Sequence, residues 1–233
     1  MGDLTNKLAG KFIVIDGPDG AGKTTQLKLL GEFLRKEGLS VLETHDPGGT
    51  PVGDKIREIL LDRNNGGISP MCETLLFMAS RAQLVHDQIR PALENRQVVL
   101  CDRFVSATIA YQGASGVDRK LILELAEIAI QGTWPDLTIV LDLPVEEGMR
   151  RIGIVRDRLK KKREPVRGQA TLFGDRMEMK GSAYHEQVRE GFKELGEGYP
   201  GLVRHVEAGG KPEQVFSEIL KTINQVFSIG DAS

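Results

Sequence analysis

Phe12-Ile-Val-Ile-Asp16-Gly17-Pro18-Asp19-Gly20-Ala21-Gly22-Lys23-Thr24 joins a short apolar run to a glycine-rich turn that opens a helical pattern. The run, counted from Lys11, is too short and too rich in β-branched residues for a helix, and its unbroken apolarity suits a strand buried on both faces. Beyond the turn, Leu27, Leu30 and Leu34 recur at helical spacing between Thr24 and Glu37, and Gly38 is placed to end the helix. Gly17 to Thr24 fills the GxxxxGK[ST] pattern in the strand-loop-helix setting that the pattern requires. The glycines let backbone N–H groups turn inward around phosphate oxygens, and the helix start adds its dipole. Lys23 can reach the β and γ phosphates, and the Thr24 hydroxyl can ligate magnesium. A nucleoside triphosphate site is therefore expected at Gly17, Pro18, Asp19, Gly20, Ala21, Gly22, Lys23, Thr24 and Thr25.

Outward from this motif the same alternation recurs. Ser40 to Thr44 reads as a second strand leading into Asp46-Pro-Gly-Gly-Thr50, and Val52 to Leu61 as a helix. Ser69-Pro70 is a good N-cap and N1 pair for a long helix running toward Asn95, bent where Pro91 removes a donor. Gln97 to Cys101, Leu137 to Leu143 and Leu202 to Val206 supply three further strands. Such alternation predicts an α/β fold of the P-loop NTPase type, three layers α/β/α around a five-stranded parallel sheet. Ligands of these sheets lie beyond the carboxyl ends of the strands. The loops Asp16–Lys23, His45–Thr50, Asp102–Arg103 and the segment after Asp142 should then converge. Asp102, directly after a strand, is the best-placed carboxylate for magnesium beside Thr24, although Asp also favours the helix-capping role there.

The chain has 233 residues, and 40% of them are hydrophobic and 27% charged, a globular composition suited to a single domain, with a core from about 11 to 227. The 31 basic residues nearly balance the 33 acidic ones, which gives no global attraction to nucleic acid or to an anionic membrane. Any bound anion must be held locally. Cys72 and Cys101 lack disulfide or zinc spacing, and no run reaches signal-peptide or membrane-span character. A soluble cytoplasmic protein is expected. One compositional anomaly, Arg150 to Arg167, holds nine basic residues against Asp157 and Glu164.

Several separated motifs, in this order, make the chain resemble bacterial thymidylate kinase, a nucleoside monophosphate kinase. They are the phosphate loop, Asp46-Pro-Gly-Gly-Thr50, Ile56-Arg-Glu-Ile-Leu-Leu-Asp62, Leu76-Phe-Met-Ala-Ser-Arg81, Asp102-Arg103-Phe104, Ala110-Tyr-Gln-Gly113, Pro135 to Asp142, and Asp175-Arg-Met-Glu178 followed by His185 to Phe192. The resemblance implies phosphorylation of dTMP to dTDP by Mg-ATP, and a homodimer. It makes Phe77 the ring that stacks on thymine and Arg81, four residues along the same helix face, the donor to a base carbonyl. It gives Arg57 and Arg103 the 5′ phosphate of the acceptor, Asp19 the sugar 3′-hydroxyl, and Thr108, Tyr111 and Gln112 the base and the sugar's 2′ side. From periodicity alone Phe77 and Arg81 read as a core ring and a solvated cation.

The acceptor phosphate is already mostly dianionic at neutral pH, so no general base is required. The obstacle is the meeting of two anions, and the remedy is positioning plus positive charge. Some relatives carry the transition-state arginine inside the glycine loop. Gly20 stands there in this chain, so a mobile lid at about 150–178 is the implied source, with Arg151 and Arg156 favoured. His45-Asp46 replaces the commoner Arg-Glu pair, keeping the acid but losing a permanent cation. Two other readings share these residues. One is a deoxynucleoside kinase, and the other is a GTP-dependent switch in which Asp46-Pro-Gly-Gly49 senses the γ phosphate; no NKxD motif accompanies the latter.

Overall fold

The computed structural model describes residues 7–65, 67–162, 180–196 and 198–228, except for the side chains of residues 63, 154–162 and 228. Strands β1 (Phe12–Asp16), β2 (Val41–His45), β3 (Val98–Asp102), β4 (Leu137–Asp142) and β5 (Leu202–Glu207) form one sheet in the order β2-β3-β1-β4-β5. Every pairing is parallel; Ile13 of the central strand faces Leu100 on one side and Leu137 on the other. The five-stranded parallel sheet expected from sequence is present. β2 and β3 each run one residue further than their apolar patterns suggest, because the ladder continues to His45 opposite Asp102. That register sets both side chains at the carboxyl edge.

Helices α1 (Lys23–Lys36), α2 (Pro51–Leu61), α3 (Pro70–Leu84), α4 (Arg90–Glu94), α5 (Val105–Gly113), α6 (Arg119–Ile130), α7 (Val145–Lys162), α8 (Ser182–Lys193) and α9 (Pro212–Ser228) connect and cover the strands. Alternate strand residues feed two cores. Phe12, Val14, Val99, Cys101 and Val140 pack with α3, α5, α6 and α8, while Ile13, Ile15, Leu100, Ile139 and Leu141 pack with α1 and α9. Each fully buried aliphatic side chain contributes about 1.5–3 kcal/mol, so a strand buried on both faces is the most strongly held kind. β1 is such a strand, buried at all of its positions.

Local signals fix the helix starts. The Thr50 hydroxyl accepts from Gly53 N at 3.0 Å, Ser69 from Cys72 N at 3.3 Å and Asp118 from Leu121 N at 3.0 Å, each cap contributing about 1 kcal/mol. The expected bend at Pro91 takes a specific form. Val85–Ile89 is a π turn between α3 and α4, and Arg90 N donates to Val85 O. Proline cannot donate to the carbonyl four residues back and its ring crowds that group, so the chain widens by one residue just before it. Among the described residues, no helix is long and apolar enough to cross a membrane.

Candidate active site

The glycine loop begins where β1 ends. Asp16 is fully buried; its carboxylate accepts from Gly17 N at 2.9 Å and from the Ser106 hydroxyl at 2.5 Å, and Arg103 Nη1 lies 3.4 Å away. Burial outweighs these partners and raises the Asp16 carboxyl above its ordinary value. Gly20 sits at φ +80°, and a β-carbon there would lie 2.4 Å from Gly148 O in the first turn of α7. An arginine in the loop has no room at this position. Lys23 is buried and donates to Gly17 O at 3.1 Å and Pro18 O at 2.9 Å, which curls its ammonium into the loop's concavity. Burial first, and then the Arg103 charge, push its pKa below the usual lysine value.

At the edge of β3, the Thr24 hydroxyl donates to Asp102 Oδ2 at 2.9 Å. The two groups singled out for magnesium are thus adjacent, and both offer the hard oxygen that this cation prefers. Among the described residues no three His, Cys, Asp or Glu side chains cluster as a metal site. A single carboxylate beside a hydroxyl is the donor set of a cation shared with phosphates, so the residues fit the role.

Arg103 follows with φ +70°, a left-handed conformation that costs an L-residue about 1–2 kcal/mol. The turn sends its guanidinium back over the loop. Nη1 donates to Gly17 O at 3.2 Å, and Nη2 donates to the Asp19 carboxylate and to the Tyr111 hydroxyl at 3.0 Å. Its charge also lies 4.8 Å from the Tyr111 ring centre. Burial would raise the Asp19 carboxyl, but Arg103 and Lys23 outweigh it and hold it below the ordinary value.

Arg81 departs from its bland reading, for it is 1% exposed and not solvated. Its Nε donates to Asp46 Oδ2 at 2.6 Å, Nη1 to Met78 Sδ at 3.1 Å, and Nη2 to Phe104 O at 3.1 Å and Thr108 Oγ1 at 2.9 Å. Asp46 is buried too, beside the cis Asp46–Pro47 peptide, so the acid retained at this position holds Arg81. Arg57 Nη1 donates to Pro47 O at 2.8 Å. His45, where a cation is usual, is pushed below the ordinary histidine value by burial and by the Arg57 charge.

One cleft of about 1450 Å³ is lined by Asp19–Leu27, by His45 to Pro47, Arg57, Phe77, Arg81, Asp102, Arg103, Thr108, Tyr111 and Gln112, and by Glu147 to Ile152 with gaps. Its volume exceeds the span of about 300–1,000 Å³ usual for one small ligand. All four loops expected to converge do so. Arg151 reaches the rim, but its Nε donates to Glu147 at 2.7 Å and its Nη groups to Ala208 O at 3.0 Å and Gly209 O at 3.3 Å. Arg150 is paired with the same Glu147 at 2.7 Å and is well exposed. The Arg156 side chain and most of the 150–178 segment lie outside the described residues.

Sequence reasoning missed four contributors. The loop Ala208 to Gln214 lines the cleft and is tied to α1 by Gln26 Nε2 donating to Pro212 O at 2.9 Å. Its Gly209-Gly210 after a strand end was the available signal. Asp16 and Ser106 brace the loop from behind, and the buried Glu73 holds Gln112; nothing in their spacing marks these contacts.

Residues 15–219 match the family model described as thymidylate kinase. A thymidylate kinase of Thermomicrobium roseum is 43% identical over 95% of this chain and 98% of its own length. One from a Thermoanaerobacter species is 41% identical over 94% and 99% respectively. A crystal structure of thymidylate kinase from Ehrlichia chaffeensis superposes with a TM-score of 0.70 at 27% identity, covering 93% of this chain and 99% of that one.

Proposed function

The chain belongs to the thymidylate kinase family, and on that premise we propose that it phosphorylates dTMP to dTDP with magnesium-bound ATP as the donor. The observation that carries the reading is the single cleft in which the Lys23–Thr24 loop faces Arg57, Phe77, Arg81 and Arg103. Its volume of about 1450 Å³ leaves room for a triphosphate beside a second, phosphorylated nucleotide.

Thr24 and Asp102 would hold magnesium, which supplies charge neutralisation at the donor phosphates when bound. The inward loop amides and Lys23 cradle the phosphate tail. Arg57 and Arg103 grip the acceptor phosphate, and Asp19 takes the sugar 3′-hydroxyl while remaining ionised beside Arg103. Phe77 stacks on the base. Tyr111, held by Arg103, crowds the sugar's 2′ side. The acceptor oxygen needs no deprotonation, so this chain's work is alignment and charge compensation. The last cation, at the transferring phosphoryl group, is drawn from α7, with Arg151 and Arg156 as the assigned pair and Arg150 adjacent. We read the protein further as a homodimer through packed helices. Exposed Val52 and Ile59 on α2, and Met71 and Leu75 on the neighbouring α3, support that reading.

A coupled assay of ADP release across nucleoside monophosphates, with thymidine alongside, tests the function. Release that depends on dTMP and stays at background with thymidine is expected. Equal use of thymidine, or nucleotide hydrolysis without any acceptor, would contradict it.

A further inference from the structure

Glu73 lies in the first turn of α3, where the helix dipole favours a negative charge, and it is 2% exposed. Its Oε1 accepts from Gln112 Nε2 at 2.7 Å, and Gln112, 1% exposed, borders the base end of the cleft beside Arg81 and Thr108. A carboxylate only accepts hydrogen bonds, whereas an amide has one donating and one accepting end. Turning the Gln112 amide over would set carbonyl oxygen against carboxylate oxygen in a buried site, at the full cost of an unmade hydrogen bond plus repulsion. Glu73 therefore fixes which end of Gln112 is committed, and the end left for a ligand is Oε1, an acceptor.

The neighbours are fixed in the opposite sense. Arginine only donates, so Thr108 Oγ1 must accept from Arg81 Nη2, and the threonine's own proton points elsewhere. Asp46, Met78, Phe104 and Thr108 take four of the five Arg81 N–H groups and lock the guanidinium in place. The base end of the cleft thus presents the Gln112 acceptor next to the one Arg81 N–H that these partners leave over. That pattern complements an imide, N–H beside C=O, as in thymine. It opposes cytosine, whose ring nitrogen accepts and whose amino group donates.

We propose that Glu73, which does not line the cleft, is a positioning residue that sets base specificity by holding Gln112 as an acceptor. The inference rests on the reading of the cleft as a dTMP site. In Glu73→Gln, the new amide can accept or donate, which frees Gln112 to present either end. The expected result is a fall of about tenfold or more in the dTMP over dCMP preference in kcat/KM, with dCMP use rising while the KM for ATP stays constant. The reciprocal pair Glu73→Gln with Gln112→Glu again leaves only an acceptor at position 112 and is expected to restore rejection of dCMP. An unchanged preference in Glu73→Gln, or a parallel loss of both activities such as a structural role gives, would overturn the proposal. So would a reciprocal pair that still accepts dCMP.

If Glu73→Gln does not fold, hydrogen exchange of the Gln112 side-chain amide in the unmutated protein decides. Slow exchange, with and without dTMP, is expected; solvent-like exchange overturns the proposal. An unmutated protein that ignores dTMP yet uses another acceptor defeats the functional reading instead.

Discussion

Arg189 of α8 meets Asp142 at the carboxyl end of β4 through two prongs, Nε to Oδ1 at 2.7 Å and Nη2 to Oδ2 at 3.0 Å. The hydrogen bonds from Arg189 hold the Asp142 carboxyl below its ordinary value of 3.8. A depressed carboxyl stabilises the fold fully above the unfolded-state value and loses that contribution as pH falls through the lower folded value. The pair is partly solvated, so its worth is about 1 kcal/mol. Arg189→Leu should lower stability by that amount in denaturant melts at neutral pH, and the gap to the unmutated protein should close as pH falls below 3.8. A gap independent of pH would assign the loss to packing. Roles at this scale were the least legible in the sequence. Lys23 and Thr24 sit at motif positions whose spacing states their chemistry. Arg81 does not, because its burial and orientation depend on Asp46, Phe104 and Thr108, which only the fold brings to it.

The contact between α7 and the glycine loop shows what one element imposes on another. Gly20 and Gly148 meet backbone to backbone, and a β-carbon on Gly148 would lie 2.4 Å from Asp19 O. Neither neighbour is a flexible side-chain end, so the loop itself must yield. Gly148→Ala is expected to cut kcat/KM by about 10²-fold, since a displacement near 1 Å at a catalytic loop has that effect, while the thermal midpoint moves little. Normal turnover in this variant would mean that the loop is not held by α7. Elements themselves were legible, because short β-branched runs, leucine spacing and the Ser69-Pro70 cap are local signals. The π turn was not. Pro91 announces a disturbance, but whether a helix kinks or widens depends on the packing around it. Here Gln88 in the π turn also reaches β2 and the loop after it, accepting from the Thr44 hydroxyl at 3.0 Å and donating to Gly49 O.

For the whole molecule, a parallel sheet with strand order β2-β3-β1-β4-β5 brings loops distant in sequence to one edge. Alternation of elements made that convergence legible, because parallel crossovers leave few arrangements. The loop after β5 escaped notice since its residues carry little chemistry of their own. A homodimer should sediment near twice 25.6 kDa, and Leu75→Glu should reduce it to a monomer; a native species at 25.6 kDa would end the dimer reading. The central claim is that two phosphate-bearing nucleotides meet in the cleft. A crystal structure with dTMP and a non-hydrolysable ATP analogue measures this most directly. The dTMP phosphate is expected at Arg57 and Arg103, in line with the γ-phosphate above Lys23. An acceptor that is absent, or bound with its phosphate turned away from the donor, would contradict it.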